Sequence, residues 1–199
     1  SPNFKNRILT ISCDMSSDES VKKLFKTVKA GYNNVDILVN NCGSWLLDKI
    51  VEMDEFSIDE LYKNNLKASI LGTKYAGNYL AKKGSIINIG SFSSILPMKE
   101  ASLYSAYKSA LNTFTKSSAA ELANKGIRVN CINPGVIKTP MTSKYISDNY
   151  KRIIEPIALK KIGNEQDVSN GVLFLCSDLS SYITGATLDI NGGKYLTQL

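Results

Sequence analysis

Apolar positions in this chain fall into short, nearly unbroken runs, separated by longer stretches where they recur at helical spacing. The runs are 8–12, 36–40, 85–90, 127–133 and 187–190. Their consecutive Ile, Leu and Val residues are what parallel strands buried on both faces require. The segments 17–31, 57–80, 102–124 and 164–177 between or after them read as helices. Ser16 with Glu19, and Ser57 with Glu60, fit the pattern in which two side chains satisfy each other's orphan amides at a helix start. Asn164 opens the last helix, with Asp167 in its first turn. Strand–helix alternation of this kind predicts an α/β fold: a doubly wound parallel sheet (Rossmann-type) in a single domain over 1–199. Ligands of such sheets lie beyond the carboxyl ends of the strands. Those exits read Asp14, Asn40-Asn41-Cys42-Gly43, Gly90-Ser91, Asn133-Pro134-Gly135 and Asn191-Gly192-Gly193.

Composition narrows the chemistry. There is no histidine, which removes the Ser/His and Cys/His nucleophilic systems and most metal sites. Acid–base work then falls to Tyr, Lys, Asp, Glu or Cys, and no metal is expected. The four cysteines, Cys13, Cys42, Cys131 and Cys176, show neither a ligand spacing nor a disulfide framework. They read as small core residues in a reducing, cytoplasmic compartment. The net charge of +6 raises the question of nucleic acid. The lysines, however, are interleaved with acids along the helical stretches, so a solvated surface is the better reading and no nucleic-acid partner is expected. A nucleotide phosphate or an acidic carrier protein suits the same charge. No apolar run approaches the roughly 18 residues of a membrane span, so no membrane partner is expected.

One segment stands out, Tyr104-Ser-Ala-Tyr107-Lys108. Tyr104 and Lys108 are four apart on a helix and project from one face. A phenol ordinarily titrates near pH ~10, and a neighbouring ammonium stabilises its anion, which makes the pair a sensible proton-transfer device. The spacing alone is not specific. Tyr79 and Lys83 repeat it, and about one occurrence is expected by chance in a chain so rich in Tyr and Lys. Position separates the two. Tyr104 follows a strand and loop, with Ser91 thirteen residues earlier at the strand's carboxyl end, whereas Tyr79 closes a long helix and has Leu66 at that distance.

With Ser91 and Tyr104-x-x-x-Lys108 in place, the chain resembles the classical short-chain dehydrogenase/reductase family. The matching motifs run in order through the whole chain. They are Asp14 after a strand, Asn40-Asn41-Cys42-Gly43 in place of Asn-Asn-Ala-Gly, Asn65-Leu66 within the long helix, Ser91, Tyr104 and Lys108. Arg128-Val129-Asn130 then leads to Asn133-Pro134-Gly135 and Thr139, and Tyr182-Ile-Thr-Gly185 to Asn191-Gly192-Gly193. The resemblance implies an NAD(P)(H)-dependent oxidoreductase that interconverts a carbonyl and a secondary alcohol. It implies Tyr104 as proton donor or acceptor, and Lys108 as modulator of Tyr104 and holder of the nicotinamide ribose. Ser91 would hold the substrate oxygen, and Asn65 would keep a helix kink and a water leading to Lys108. Cofactor positions carried over are Asp14 and Met15 near the adenine, Asn40 and Asn41 beside the ribose, and Ile137 and Thr139 at the carboxamide.

The segment 138–163 is expected to cover the substrate as a lid. Its length, and Ser-Tyr-Ile-Thr-Gly near the end, are similar to bacterial 3-oxoacyl-(acyl-carrier-protein) reductases. A 3-oxoacyl thioester substrate, an acyl carrier protein as partner, NADP rather than NAD, and a homotetramer follow as implications. Sugar/polyol or steroid-type dehydrogenases are the next reading. The family's glycine-rich phosphate loop does not occur in the chain, whose first apolar run resembles the family's third strand. In the strand order 3-2-1-4-5-6-7 the first two strands stand between runs 8–12 and 36–40. The domain over 1–199 is therefore expected to lack them, with further natural sequence before Ser1. The rival expectation is a short relative that keeps the fold as a non-catalytic scaffold.

Overall fold

The computed structural model describes residues 8–32 and 34–194. Four parallel strands, β1 (Val35–Asn40), β2 (Leu80–Ile89), β3 (Arg128–Pro134) and β4 (Thr187–Ile190), form one sheet in that order. Ile37–Asn40 lies beside Ser85–Asn88, Ser85–Ile89 beside Arg128–Ile132, and Cys131–Pro134 beside Thr187–Ile190. Six α-helices accompany them: α1 (Asp18–Gly31), α2 (Glu55–Tyr62), α3 (Ala68–Tyr79), α4 (Ser102–Leu122), α5 (Ser143–Ile154) and α6 (Glu165–Cys176).

Strand periodicity divides the core into two layers. Ile86 and Ile87 are adjacent, both fully buried, and face opposite sides of the sheet. Ile86 packs with Val21 and Phe25 of α1, Leu71, Tyr75 and Ala76 of α3, and Ala119 of α4. Ile87 packs with Ile132 and Leu175, against Val168 and Val172 of α6. Each of these isoleucines contributes ~1.5–3 kcal/mol of burial free energy. That is why the runs read as continuously apolar rather than alternating.

Between the layers runs a polar ladder. The Asn40 side-chain amide donates to the Ser69 carbonyl (3.3 Å), Thr73 Oγ1 (3.1 Å) and Asn88 Oδ1 (2.8 Å). Asn88 in turn donates to Thr115 Oγ1 at 2.9 Å. β1, α3, β2 and α4 are thereby pinned by bonds that an apolar core would not supply. Where α4 must turn back into β3, Gly126 adopts φ +71°, the left-handed conformation that ends many helices.

Several expectations need correction. Residues 8–12 form no strand, and Ile8 and Leu9 are exposed. A strand exists only through the partner it bonds to, and none of the four strands lies beside this segment. The sheet order is accordingly the 4-5-6-7 half of the expected series, with β1 at one edge and Ile37 and Val39 exposed there. The first two helix caps sit elsewhere. Ser17, not Ser16, accepts from the amide of Ser20, and Asp54, not Ser57, accepts from the amide of Ser57. Ser16 instead donates to Asp14 Oδ1 through both its amide and its hydroxyl, each at 2.8 Å. The Asn164 cap is present as expected, and Asp167 completes it as a capping box. The expected helix 57–80 is α2 and α3 joined through a π turn, Lys63–Lys67. Within the segment 138–163 lies an unforeseen helix, α5, packed through Ile146 and Ile153.

Candidate active site

A cleft of about 910 Å³ opens at the carboxyl edge of the sheet, and Asn41, Gly43, Ser91, Tyr104, Lys108, Ile137 and Thr139 all line it. Each arrives by a different route. β2 ends at Ile89, and its continuation delivers Ser91 at the N-cap of a short 3-10 turn, where Ser91 Oγ accepts from the amide of Ser93. The Ser91 amide donates to Asn133 Oδ1 at 3.1 Å, so β3 fixes the position of the serine from beneath. The turn is further tied to α4, where Ser109 Oγ donates to the Ser94 carbonyl at 2.8 Å. Tyr104 and Lys108 project from the first turns of α4, and the Lys108 ammonium lies 5.7 Å from the Tyr104 ring centroid. The Ser91 hydroxyl neighbours the Tyr104 phenol and favours its ionised form. Serine hydroxyl, phenol and ammonium thus meet on one wall.

Lys108 is 4% exposed and donates from Nζ to the Ile89 carbonyl at 2.9 Å. Burial lowers its pKa to about 8, because the charged form loses hydration. Burial pushes the Tyr104 phenol above the ordinary tyrosine value, and the neighbouring Ser91 hydroxyl works against that rise. Burial is the largest influence on the phenol, so a lowering by Lys108 does not show in the net direction. Beneath them, burial raises the Cys131 thiol to about 11, which keeps it neutral.

Asn65 lies within the π turn and is fully buried. Its amide nitrogen donates to the Leu61 carbonyl (3.0 Å) and to the Ser44 carbonyl (2.9 Å). The expected kink is therefore a π turn, whose extra residue turns the carboxamide inward. Asn65 Oδ1 has no partner. A Cβ at Gly43 would stand 3.1 Å from that oxygen and 3.6 Å from Lys108 Nζ, so glycine there leaves the two polar atoms a shared open approach.

Not every expected residue reaches the cleft. Asn40 is buried in the polar ladder and does not line it. Asp14 borders a separate polar depression with Lys63 and Lys67, and Met15 packs on the α1–α3 core. Burial separates Asn40 from its exposed neighbour Asn41, a distinction that sequence position alone does not carry. Tyr79 lies 5.6 Å from the Phe25 ring inside the core, and Lys83 stands in a left-handed turn, so that Tyr/Lys pair has no place at the site. Sequence reasoning missed Asn133 as the support of Ser91, though its Asn-Pro-Gly motif marked the spot. It also missed Ser44, Trp45, and the α6 residues Val168, Val172 and Leu173 that form the apolar wall.

The comparisons agree with this geometry. The family model described as Enoyl-(Acyl carrier protein) reductase matches residues 2–194. A 3-oxoacyl-(acyl-carrier-protein) reductase FabG of Buchnera aphidicola is 37% identical over 186 residues, 92% of this chain and 76% of that protein. Its counterpart from Staphylococcus epidermidis is 34% identical, over 94% and 77%. Among solved structures, a short-chain dehydrogenase/reductase (glucose/ribitol dehydrogenase) from Brucella melitensis superposes with TM-score 0.92 at 30% identity, over 96% of this chain and 78% of that one. ElxO with NADP bound superposes with TM-score 0.90 at 29% identity, over 98% and 81%. The chain belongs to the short-chain dehydrogenase/reductase family of oxidoreductases.

Proposed function

We propose that the protein reduces a 3-oxoacyl thioester to the secondary alcohol, with NADPH as hydride donor and an acyl carrier protein as the natural carrier. The observation that carries the reading is the meeting of Ser91, protonated Tyr104 and Lys108 on one wall of a cleft whose opposite wall is apolar. Residues fit the nicotinamide half of a dinucleotide. Asn41 and Lys108 face the cleft where the ribose would lie, Ile137 and Thr139 where the carboxamide would lie, and the volume is in the range of ligand sites. Asp14 and Met15 remain candidates for the adenine end, and Asn40 for holding the strand that presents Asn41.

A reduced nicotinamide, when bound, supplies the hydride. Tyr104 then gives its phenolic proton to the substrate oxygen, and the Ser91 hydroxyl donates to that same oxygen and stabilises the charge developing on it. Lys108, cationic at neutral pH, stabilises the phenolate left behind. The unpartnered Asn65 Oδ1, beside Lys108 across Gly43, is the acceptor through which a water can return the proton. Val168, Val172 and Leu173 favour an acyl chain over a polyol, because polar hydroxyls against such a wall would lose hydration without replacement. The NADPH choice is supported by relatives whose solved structures hold NADP or NADPH.

Turnover of a 3-oxoacyl thioester by Tyr104→Phe tests the assignment. The variant is expected to lose at least ~10²-fold in kcat, the lower end of general acid–base contributions. Tyr79→Phe serves as the matched control, and a Tyr104→Phe rate close to that control refutes the assignment. Side-by-side kcat/KM values with NADPH and NADH decide the cofactor.

A further inference from the structure

A second cavity of about 530 Å³ lies between α5 and the loop that follows β2. Its walls are mixed: Phe92, Leu96, Met98 and Ile153 give it apolar sides, while Arg152 and Lys194 bring two cations to it. Lys194 Nζ sits 4.5 Å above the centroid of the Phe92 ring. Among the described residues neither cation has an acid within ion-pair distance, the three ion pairs lying elsewhere. Lys99 and Glu100 also border the cavity and are opposite in sign, so exposed Arg152 and half-buried Lys194 set its net charge.

Two like charges placed together without a counter-charge are unfavourable. Here the cost is visible, because burial and the neighbouring Arg152 together lower the pKa of Lys194. A bound anion would reduce that penalty, and the phosphate of a carrier arm, with one negative charge shared by two free oxygens when it is a diester, offers an oxygen to each cation. A guanidinium adds the planar fork that holds phosphate oxygens in pairs.

Placement ties this cavity to the reaction. Phe92 is the residue after Ser91, and Tyr145 on its wall meets Trp45 of the active cleft edge-on at 5.1 Å. The two cavities therefore share a wall.

Resting on the thioester reading above, we propose that this cavity is a subsite for the phosphate ester on the carrier arm of the substrate, with Arg152 and Lys194 as its cations and Phe92, Leu96 and Met98 along its stem. The site recognises the arm, so that a phosphopantetheine thioester is preferred to the same thioester lacking phosphate. Arg152 and Lys194 set that preference without touching the reacting carbonyl.

Two measurements test it. The chain has one tryptophan, Trp45, whose emission reports on the shared wall without any turnover. Titration with 4′-phosphopantetheine is expected to saturate at about tenfold lower concentration than titration with pantetheine, the effect of one or more charge-assisted bonds. In the double variant Arg152→Gln, Lys194→Gln that difference is expected to vanish. Equal titrations in the wild type, no response to either ligand, or a difference that survives in the double variant would each overturn the subsite. The kinetic arm compares kcat/KM for a 3-oxoacyl phosphopantetheine thioester and its dephosphorylated counterpart. The double variant should lose the preference and keep its rate on the uncharged substrate, and an unchanged preference would overturn the subsite too. If neither thioester is reduced, the thioester function fails, while the fluorescence titration still judges the subsite by itself.

Discussion

Asn133→Ala probes the support on which the site stands. The Asn133 side chain is fully buried and its Oδ1 accepts the Ser91 amide at 3.1 Å. The fit is close, since a Cβ at Gly90 would stand 2.2 Å from that oxygen and 2.9 Å from Cys131 Sγ. Truncation leaves the Ser91 N–H buried with no acceptor, at a cost of ~1–3 kcal/mol. The space vacated by the carboxamide adds to the loss, because the surrounding strands can relax only partly. Urea unfolding is expected to show a midpoint lower by about 1 M at unchanged slope, taking the usual ~1–3 kcal/mol per molar. The 3-oxoacyl thioester assay should show a further effect. With Ser91 no longer fixed from below, its hydroxyl loses alignment with Tyr104 and kcat should fall about tenfold or more, as expected when an oxyanion donor is misplaced. A urea midpoint unmoved from wild type would refute the claim that this bond helps to hold the serine. A lower midpoint with undiminished kcat would show that the bond serves the fold and not the site.

Two further outcomes follow from groups with unusual surroundings. Lys108 titrates near 8 in the fold, below the ordinary 10.5, so above pH ~8 the unfolded chain binds more protons there than the native one, and stability rises with pH by up to ~1.4 kcal/mol per unit. The window to measure is pH 8–9, since burial raises Cys131 above its ordinary 9.0 and offsets the trend beyond it; urea midpoints that rise in the wild type and not in Lys108→Met support the assignment, and parallel curves refute it. Self-association is the other: Phe56 on α2 and Leu179 leave large apolar side chains 72% and 83% exposed, surface that a second copy of the chain would cover. Light scattering at micromolar concentration should give a multiple of the chain mass, and a clean monomer would reject the homotetramer proposal.

How much of this was legible depended on whether the determinant was local. Four of the five strand exits were legible because buried parallel strands print their burial as unbroken Ile and Val runs, and a ligand site at their carboxyl ends is a property of topology; the run 8–12 carried the same print and forms no strand. Tyr104 and Lys108 were separable from Tyr79 and Lys83 for the same reason: only the first pair follows a strand end with a serine on it. Helix caps were read one to three positions off at Ser17 and Asp54, because several neighbouring Ser and Asp side chains compete for the same orphan amides. What stayed hidden was set by contacts between distant segments. Asn40 and Asn41 are chemically identical, and only the packing of α3 against β1 decides that one is consumed in a ladder while the other faces the cleft. The tyrosine is the sharper case. From spacing, the ammonium four residues away should lower the phenol's pKa. In the fold both groups are desolvated, and burial acts on each in the direction opposite to ionisation. The consequence bears on the proposed reduction: a protonated phenol beside a lysine still cationic at neutral pH suits donation of a proton to a carbonyl oxygen, and the burial of both groups was not readable from their spacing.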